Sequence, residues 1–200
     1  MPDTQPNLRT RRLLLRPFTL ADAPDIQSLA GDRAIADTTL RIPHPYPDGA
    51  AEEWIRTHAP GFAAGHHATF AITRSGDGTY LGTVGLVIDA PNAAAELGYW
   101  IGVPFWGQGY ATEASRALLD FGFRALALHR IHATHLMRNP ASGRVMQKIG
   151  MKLEGVHRHA VRKWGAFEDI VHYAALEADW LPGSATPSAP MSGLQRGGAL

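Results

Sequence analysis

Two glycines near the middle of the chain, Gly107 and Gly109, could bind a phosphate group through the protein backbone. They lie between an apolar run at residues 97–103 and a segment with helical apolar spacing that starts near Ala111. A strand that turns through glycines into a helix directs several backbone N–H groups, and the positive end of the helix dipole, at one point. Glycine also lets the main chain approach a phosphate closely. The segment therefore predicts a site for a cofactor that carries a diphosphate.

Three kinds of phosphate-binding segment compete for this stretch, and spacing separates them. A Walker loop requires Gly-Lys followed by Ser or Thr, and the chain contains neither tripeptide. A dinucleotide fingerprint requires a third glycine where the chain has Thr112, and the following strand ends without an acid for a ribose. The coenzyme A loop places Gln or Arg three residues before the glycine at Gly109. It matches at Gly109 and Ala111 and differs at Trp106. A glycine-rich turn that binds nothing remains an alternative for so short a motif.

Composition limits the other functional classes. The 200 residues, 45% of them hydrophobic, predict one domain with a single large core. The net charge of +1 gives no electrostatic case for binding nucleic acid or a membrane, and the absence of cysteine excludes disulfides and thiolate chemistry. The longest apolar run near the N-terminus, residues 13–15, is too short for a signal peptide. We expect a cytoplasmic protein with one domain at 1–181 and a flexible Pro/Gly/Ser-rich tail at 182–200.

Apolar periodicity predicts the elements that must position the glycine turn. The sequence Ser-Gly-Asp-Gly at 75–78 predicts a hairpin, and the turn lies where the fourth strand enters a crossover helix. The order β-α-α-β-β-β-α-β-α-β-β predicts an α+β fold, with a mixed, mostly antiparallel sheet of seven strands and a central β-α-β crossover flanked by helices. Strands are expected at 11–18, 67–74, 79–88, 94–103, 130–136, 156–160 and 168–176, and helices at 22–30, 50–58, 111–126 and 141–149.

Four separate stretches match one protein family in order and spacing. They are residues 12–23, 42–55, 96–114 and 139–150, and together they span about residues 9–178. In these stretches the chain resembles the GCN5-related N-acetyltransferases (GNAT family), in particular the branch of Rim-type ribosomal-protein N-terminal acetyltransferases. Trp106 is shared by this branch, so its departure from the general motif favours the branch.

The resemblance implies how acetyl-CoA, the co-substrate of this family, is bound. A V-shaped gap between the fourth and fifth strands receives the pantetheine arm, which bonds to the backbone near Ile101, Gly102 and Val103. Asn139 and Ser142, at the start of the following helix, reach the pantetheine or its sulfur. The diphosphate lies on the backbone of the turn, which comprises Trp106, Gly107, Gln108, Gly109, Tyr110, Ala111 and Thr112.

Acetyl transfer to an amine requires positioning, removal of a proton and stabilisation of an oxyanion. Glu96, at the start of the fourth strand, is our candidate base, and a strand-end ion pair is its alternative role. Many family members protonate the leaving thiolate with a tyrosine four residues before the glycine that corresponds to Gly150, where this chain has Met146. Ser142 is therefore our candidate acid, with Tyr99 and solvent as alternatives.

Other residues border the expected acceptor site. Tyr46, in the Pro-rich loop at 41–48, and Tyr99 are our candidates for contacting the acceptor. The ten histidines suggest a metal, but His132 and His135 fall on opposite faces of one strand, and no carboxylate completes a set. We therefore expect no metal.

The leading hypothesis is an acetyl-CoA-dependent N-acetyltransferase that transfers the acetyl group directly in a ternary complex. A protein or peptide N-terminal α-amine is the favoured acceptor, and amino acids, polyamines and antibiotics stay open because the family varies its first helices and loops. A non-catalytic acyl-CoA-binding module and a nucleotide-binding domain of another family are further alternatives. Glu96, Asn139 and Ser142 favour the enzyme over the module. The sequence gives only a weak hint of a homodimer.

Overall fold

A single mixed sheet organises the chain. The computed structural model describes residue 2 and residues 4–180, so the tail expected at 182–200 lies outside the described residues. The sheet has the strand order β1-β2-β3-β4-β5-β6-β8-β7, and only β5 and β6 run parallel. Its strands are β1 (Leu8–Arg9), β2 (Leu13–Arg16), β3 (His67–Arg74), β4 (Tyr80–Asp89), β5 (Ala94–Ile101), β6 (Arg130–Leu136), β7 (Lys152–Lys163) and β8 (Ala166–Leu176).

Within the described residues, seven α-helices connect and cover these strands. Four short ones lie between β2 and β3, one long helix forms the crossover from β5 to β6, and two follow later in the chain. They are α1 (Ala23–Ala30), α2 (Arg33–Thr38), α3 (Ala50–Arg56), α4 (His58–Ala63), α5 (Tyr110–Arg124), α6 (Pro140–Lys148) and α7 (Glu177–Trp180). Among the helices of residues 4–180, none has the length and apolar content needed to cross a bilayer.

The alternation of side chains along the strands gives the sheet two apolar faces. On one face, Leu97 and Ile101 of β5 pack in the main core with Leu118 of α5 and Met146 of α6. On the other face, a smaller cluster joins Trp100 to α1 and α3. Because successive residues of a strand point to opposite faces, β5 contributes to both layers.

The start of α1 is held by a buried ion pair. Arg16 donates to both carboxylate oxygens of Asp22 at 2.6 and 2.8 Å, and the Thr19 N–H donates to the same carboxylate at 2.8 Å. Burial disfavours the charged form of Asp22, but these hydrogen bonds outweigh it and hold the pKa of the carboxyl below its usual value. Asp22 is the N-cap residue of α1, but its carboxylate bonds to residues before the helix and not to the first helical turn.

The structure corrects several predicted boundaries. The sheet has eight strands and not seven, because the two-residue β1 is too short to show a period. Helices α2 and α4 were not predicted. Helix α2 has only six residues, and α4 contains Pro60 and Gly61, which are unfavourable in helices. The helix predicted at 111–126 begins at Tyr110 and ends at Arg124. The hairpin of β7 and β8 is longer than predicted. Most of β7 is exposed and lacks apolar alternation, so its full length leaves no signal in the sequence.

One buried histidine lies in the helical layer without hydrogen bonds. His58 is 5% exposed, and neither ring nitrogen has a partner among the described residues. Its ring meets those of Trp54 and Phe18 at centroid distances of 4.3 and 5.1 Å. Burial, and then the charge of His67, lower the pKa of His58 to about 4. His58 is therefore neutral in the folded protein near neutral pH.

This histidine makes folding sensitive to acid. Between its unfolded pKa of 6.5 and its folded pKa of about 4, only the unfolded chain binds the proton, so the free energy of unfolding decreases as the pH falls through this window. We expect this group to cost about 3 kcal/mol of stability by pH 4. In urea unfolding, His58→Leu should show a shallower acid loss, whereas His129→Leu, at an exposed histidine, should keep the wild-type loss. Equal acid losses for the wild type and His58→Leu would contradict this account.

Candidate active site

The central feature of the site is a break in the sheet between its two parallel strands. β5 and β6 pair at only three positions, the last of which joins Glu96 to His132. β5 nevertheless continues to Ile101, and on its other edge it pairs with β4 over its whole length. A gap therefore opens beyond Glu96, where the edge of β5 can bond to an extended ligand as a strand would.

The glycine turn follows the open end of β5. Gly107 and Gly109 have φ values of 74° and 80°, the left-handed region that glycine adopts without strain. Gly109 is the N-cap of α5, a helix of 15 residues. The first N–H groups of a helix have no partner within it, so those of the first turn of α5 are directed at this point. The turn thus has the backbone geometry that a diphosphate requires.

An ion pair made by the residue just before β2 holds this turn in place. Arg12 lies 2.6 Å from Glu113 in the first turn of α5, and its guanidinium also donates to the carbonyl of Gln108 at 3.0 Å. Thr10 donates to the same carboxylate at 2.6 Å. Burial alone would raise the pKa of Glu113, but the hydrogen bonds from Thr10 and Arg12 lower it overall. Sequence reasoning gave no role to Arg12 or Glu113, although both lie in the stretches that resemble the family.

Trp106 closes the turn from the other side. Its indole N–H donates to the carbonyl of Ile101 at 2.5 Å, which ties the turn to the end of β5. The predicted strand at 94–103 ends two residues early, because residues 103–105 form a 3-10 turn. Three residues were expected to bind pantetheine through their backbone. The carbonyl of Ile101 already accepts the bond from Trp106. Gly102 and Val103 lie beyond the end of the strand.

The N-terminus of α6 forms the opposite wall of the gap. Asn139 caps α6 by accepting from the Ser142 N–H at 3.3 Å, and its amide group donates to Thr38 at 3.2 Å. The Ser142 hydroxyl lies 2.8 Å from the phenol oxygen of Tyr99, which comes from β5. Met146, at the position where many relatives have tyrosine, is 1% exposed and belongs to the core. The structure therefore brings Asn139, Ser142 and Tyr99 together, with Asn139 serving as a cap.

Glu96 lies on the other face of the sheet. Its side chain is half-buried, and Arg41 approaches its carboxylate to 3.5 Å. Its cross-strand neighbours are Val87 of β4 and His132 of β6, and no helix of the α5 layer covers this face. Glu96 and Tyr99 therefore stand on opposite faces of the gap, about 10 Å apart along β5 at ~3.3 Å per residue.

Tyr46 lies in the helical layer formed by α1 and α3. Its carbonyl accepts from Gln27 at 3.1 Å, and its ring packs against the small cluster that also contains Trp100 of β5. Burial, and then the charge of Glu52, raise the pKa of the Tyr46 phenol. Its contact with the acceptor stays a prediction.

The tip of the β7–β8 hairpin contacts both ends of α2. Lys163 donates to the carbonyl of Thr39 at 2.6 Å, and Arg33 stacks over the Trp164 ring at 5.5 Å. Together with the bond from Asn139 to Thr38, these contacts form what we call the hairpin bridge, defined by Arg33, Thr38, Thr39, Asn139, Lys163 and Trp164. The bridge joins α2 to the hairpin tip and to the cap of α6.

A cleft of about 630 Å³ adjoins the glycine turn along α5. Its lining includes Gly109 and Thr112 of the turn and three basic residues, Arg11, Arg116 and Lys148. Within residues 4–180, no group of three or more His, Cys, Asp or Glu side chains is placed to hold a metal ion. Two carboxylates, Glu113 and Asp120, line the cleft as well, so the three basic side chains outnumber the acidic ones by one.

Comparison with known proteins decides the family. A family model described as "Acetyltransferase (GNAT) domain" matches residues 12–152. This chain belongs to the GNAT acetyltransferase family. A relative in Bacillus subtilis (strain 168), named "Probable N-acetyltransferase YjcK", is 30% identical over 177 residues, covering 86% of this chain and 98% of the relative.

Two solved structures share the GNAT fold with this chain. RimL, a ribosomal L7/L12 alpha-N-protein acetyltransferase in complex with coenzyme A, has a TM-score of 0.79 at 22% identity and covers 86% of this chain and 98% of its own. A spermidine N-acetyltransferase from Vibrio cholerae, in complex with CoA and spermine, has a TM-score of 0.75 at 22% identity and covers 86% and 99%. The predicted family and fold are confirmed, and this GNAT protein is an acetyl-CoA-dependent N-acetyltransferase.

The glycine turn provides a direct test of coenzyme binding. Gly109→Val should weaken acetyl-CoA binding at least ~10-fold, because valine disfavours a φ of 80° and puts a branched side chain where the diphosphate would lie. Calorimetry measures the affinity. Gly49→Val is the matched control, since Gly49 also has a left-handed φ of 78° but lies before α3. Similar affinities for the two variants would show that the glycine turn does not bind the coenzyme.

Proposed function

We propose that this protein transfers the acetyl group of acetyl-CoA directly to the N-terminal α-amine of a protein or peptide, in a ternary complex. The observation that supports this most is the gap between β5 and β6, which borders the glycine turn on one face and Glu96 on the other. Two substrates can therefore reach the same opening from opposite faces, which is the arrangement that direct transfer requires.

Acetyl-CoA is proposed to bind from the α5 face. The diphosphate would lie on the N–H groups of residues 107–112, and the pantetheine would bond along the free edge of β5 toward Ser142. The phosphate at the adenosine end would meet Arg116 and Lys148 in the neighbouring cleft. Arg144 is exposed on α6 and is not among the residues that line this cleft.

Glu96 is proposed to remove the proton of the amine. The pKa of an α-amino group is near ~8, so a carboxylate acting through a water molecule is basic enough. Glu96 stands at the mouth of the gap, and its distance from Tyr99 along β5 leaves room for such a water. Ser142, at the N-terminus of α6, is proposed to face the sulfur as the leaving thiolate forms.

The charges around Glu96 favour a peptide over a polyamine. A polycation needs several unpaired carboxylates to bind tightly. On this face, however, each of three carboxylates already has an arginine partner within 3.5 Å; the pairs are Glu96–Arg41, Glu154–Arg130 and Glu168–Arg138. Because the RimL and spermidine enzymes share this fold, the fold itself does not select the acceptor.

The role of Glu96 can be tested by removing its charge. Glu96→Gln should lower kcat by ~10²-fold or more, leave acetyl-CoA affinity nearly unchanged and abolish the acidic limb of the pH–rate profile. Arg41→Met is the control, because it breaks the ion pair but keeps the carboxylate. Since this arginine is largely exposed, its loss should leave most of kcat intact. If both variants lose kcat equally, the loss in Glu96→Gln comes from the broken ion pair, and Glu96 does not act as the base.

The acceptor can be tested by competition. Peptides that begin with Ala or Ser and spermidine are mixed at equal concentration with limiting acetyl-CoA, and the acetylated products are measured by mass spectrometry. We expect most acetyl groups on the peptides, because the paired carboxylates give spermidine little to bind. A majority on spermidine would reject the peptide acceptor while leaving the acetyltransferase assignment in place.

A further inference from the structure

One hydrogen-bonded pair joins the two walls of the gap. The phenol oxygen of Tyr99, from β5, lies 2.8 Å from the hydroxyl oxygen of Ser142 and 3.0 Å from its carbonyl oxygen, at the start of α6. Tyr99 is half-buried and points to the face of the sheet that α5 and α6 cover. Its hydroxyl therefore reaches Ser142 from within the protein, beside the opening proposed for the coenzyme.

The protons of this pair have few arrangements. The Ser142 carbonyl can only accept, and each hydroxyl carries a single proton. If Tyr99 donates to the Ser142 carbonyl, the serine hydroxyl donates to the phenol oxygen. If Tyr99 donates to the Ser142 hydroxyl oxygen instead, the serine proton is free to point into the gap, and only this second arrangement offers a proton to a ligand there. Burial raises the pKa of Tyr99 to about 12, and its bond to Ser142 offsets this only in part. Tyr99 therefore stays protonated and available as a donor across the working pH range.

The position of Met146 explains why such a pair is needed. A thioether cannot donate a proton, and this side chain is buried in the core. A serine hydroxyl alone can rotate among several partners, so its proton is not aimed at any one acceptor. A second donor behind the serine oxygen fixes that rotation and polarises the O–H bond.

We propose that Tyr99 is a positioning residue that aims the Ser142 hydroxyl at the sulfur of the leaving CoA, and this inference rests on the proposed acetyl transfer. The amine lone pair forms the new C–N bond, the nitrogen loses a proton through water to Glu96, and the electrons of the C–S bond leave on sulfur. The thiolate accepts a hydrogen bond from Ser142, which accepts one from Tyr99. A phenol with a pKa of about 12 is a weaker acid than a thiol, near ~8.5, so both hydroxyls keep their protons and water finally protonates the thiolate.

The test titrates the thiol of CoA bound to the enzyme, followed by the ultraviolet absorbance of the thiolate. The wild type should lower the pKa of this thiol, because hydrogen bonds favour the charged form. Ser142→Ala should raise it by about 1, and Tyr99→Phe by about half as much. The double variant should match Ser142→Ala alone, since Tyr99 acts through the serine. In acetyl transfer, Tyr99→Phe should lower kcat ~3- to 10-fold with an unchanged affinity for acetyl-CoA.

Tyr173→Phe is the matched control. Its phenol also bonds to α6, accepting from Gln147 at 3.1 Å, but it comes from β8 and does not touch Ser142. This variant should leave both the thiol titration and kcat unchanged. If Tyr99→Phe behaves like Tyr173→Phe, or if its effect adds to that of Ser142→Ala, Tyr99 does not position the serine. Failure of the wild type to bind CoA would overturn the proposed function together with this inference, whereas binding with unaltered titration in Tyr99→Phe overturns the inference alone.

Discussion

The structure depends on the short contact between the two parallel strands at the centre of the sheet. Three residue pairs hold β5 to β6, and a continuous ladder would leave no opening for a ligand. The rest of the fold compensates for this weakness: α5 packs across the strands on both sides of the break, and the hairpin bridge ties α2 to the far end of the sheet. At the site, beyond the three pairs, β5 and β6 are therefore held together by the packing of α5 and not by hydrogen bonds between the strands.

The pleat of β5 distributes the chemistry between the two faces of the sheet. Residues of one parity, such as Tyr99, face α5 and α6, and residues of the other parity, such as Glu96 and Trp100, face the side of the sheet that carries α1 and α3. The proposed base and the proposed thiolate-stabilising group therefore lie on opposite faces of one strand and need not contact each other. The separation follows from strand geometry alone and needs no special loop.

Local patterns predicted much of this fold, and distant contacts set what they missed. The sequence predicts the hairpin of β3 and β4, the crossover helix and the glycine turn correctly. Each of them is marked by a residue pattern that spans about ten residues or fewer. Glu96, Ser142 and Asn139 could be proposed as site residues from the family's spacing. The bonds from Arg12 to Glu113 and from Tyr99 to Ser142 join residues 101 and 43 positions apart, and no local pattern reveals such partners. Exposed β7 and the six-residue α2 lack the apolar period on which prediction relies.

The break in the sheet also makes the stability of the protein depend on the ligand proposed to fill it. The ligand that fills it binds the folded chain and has no site on the unfolded one. Such a ligand adds RT ln(1 + [L]/Kd) to the free energy of unfolding, about 2.7 kcal/mol at a hundred times Kd. A chain without its ligand is held across the break by few strand bonds and opens more often to proteases. We therefore expect bound acetyl-CoA to raise the free energy of unfolding and to slow proteolysis of the chain.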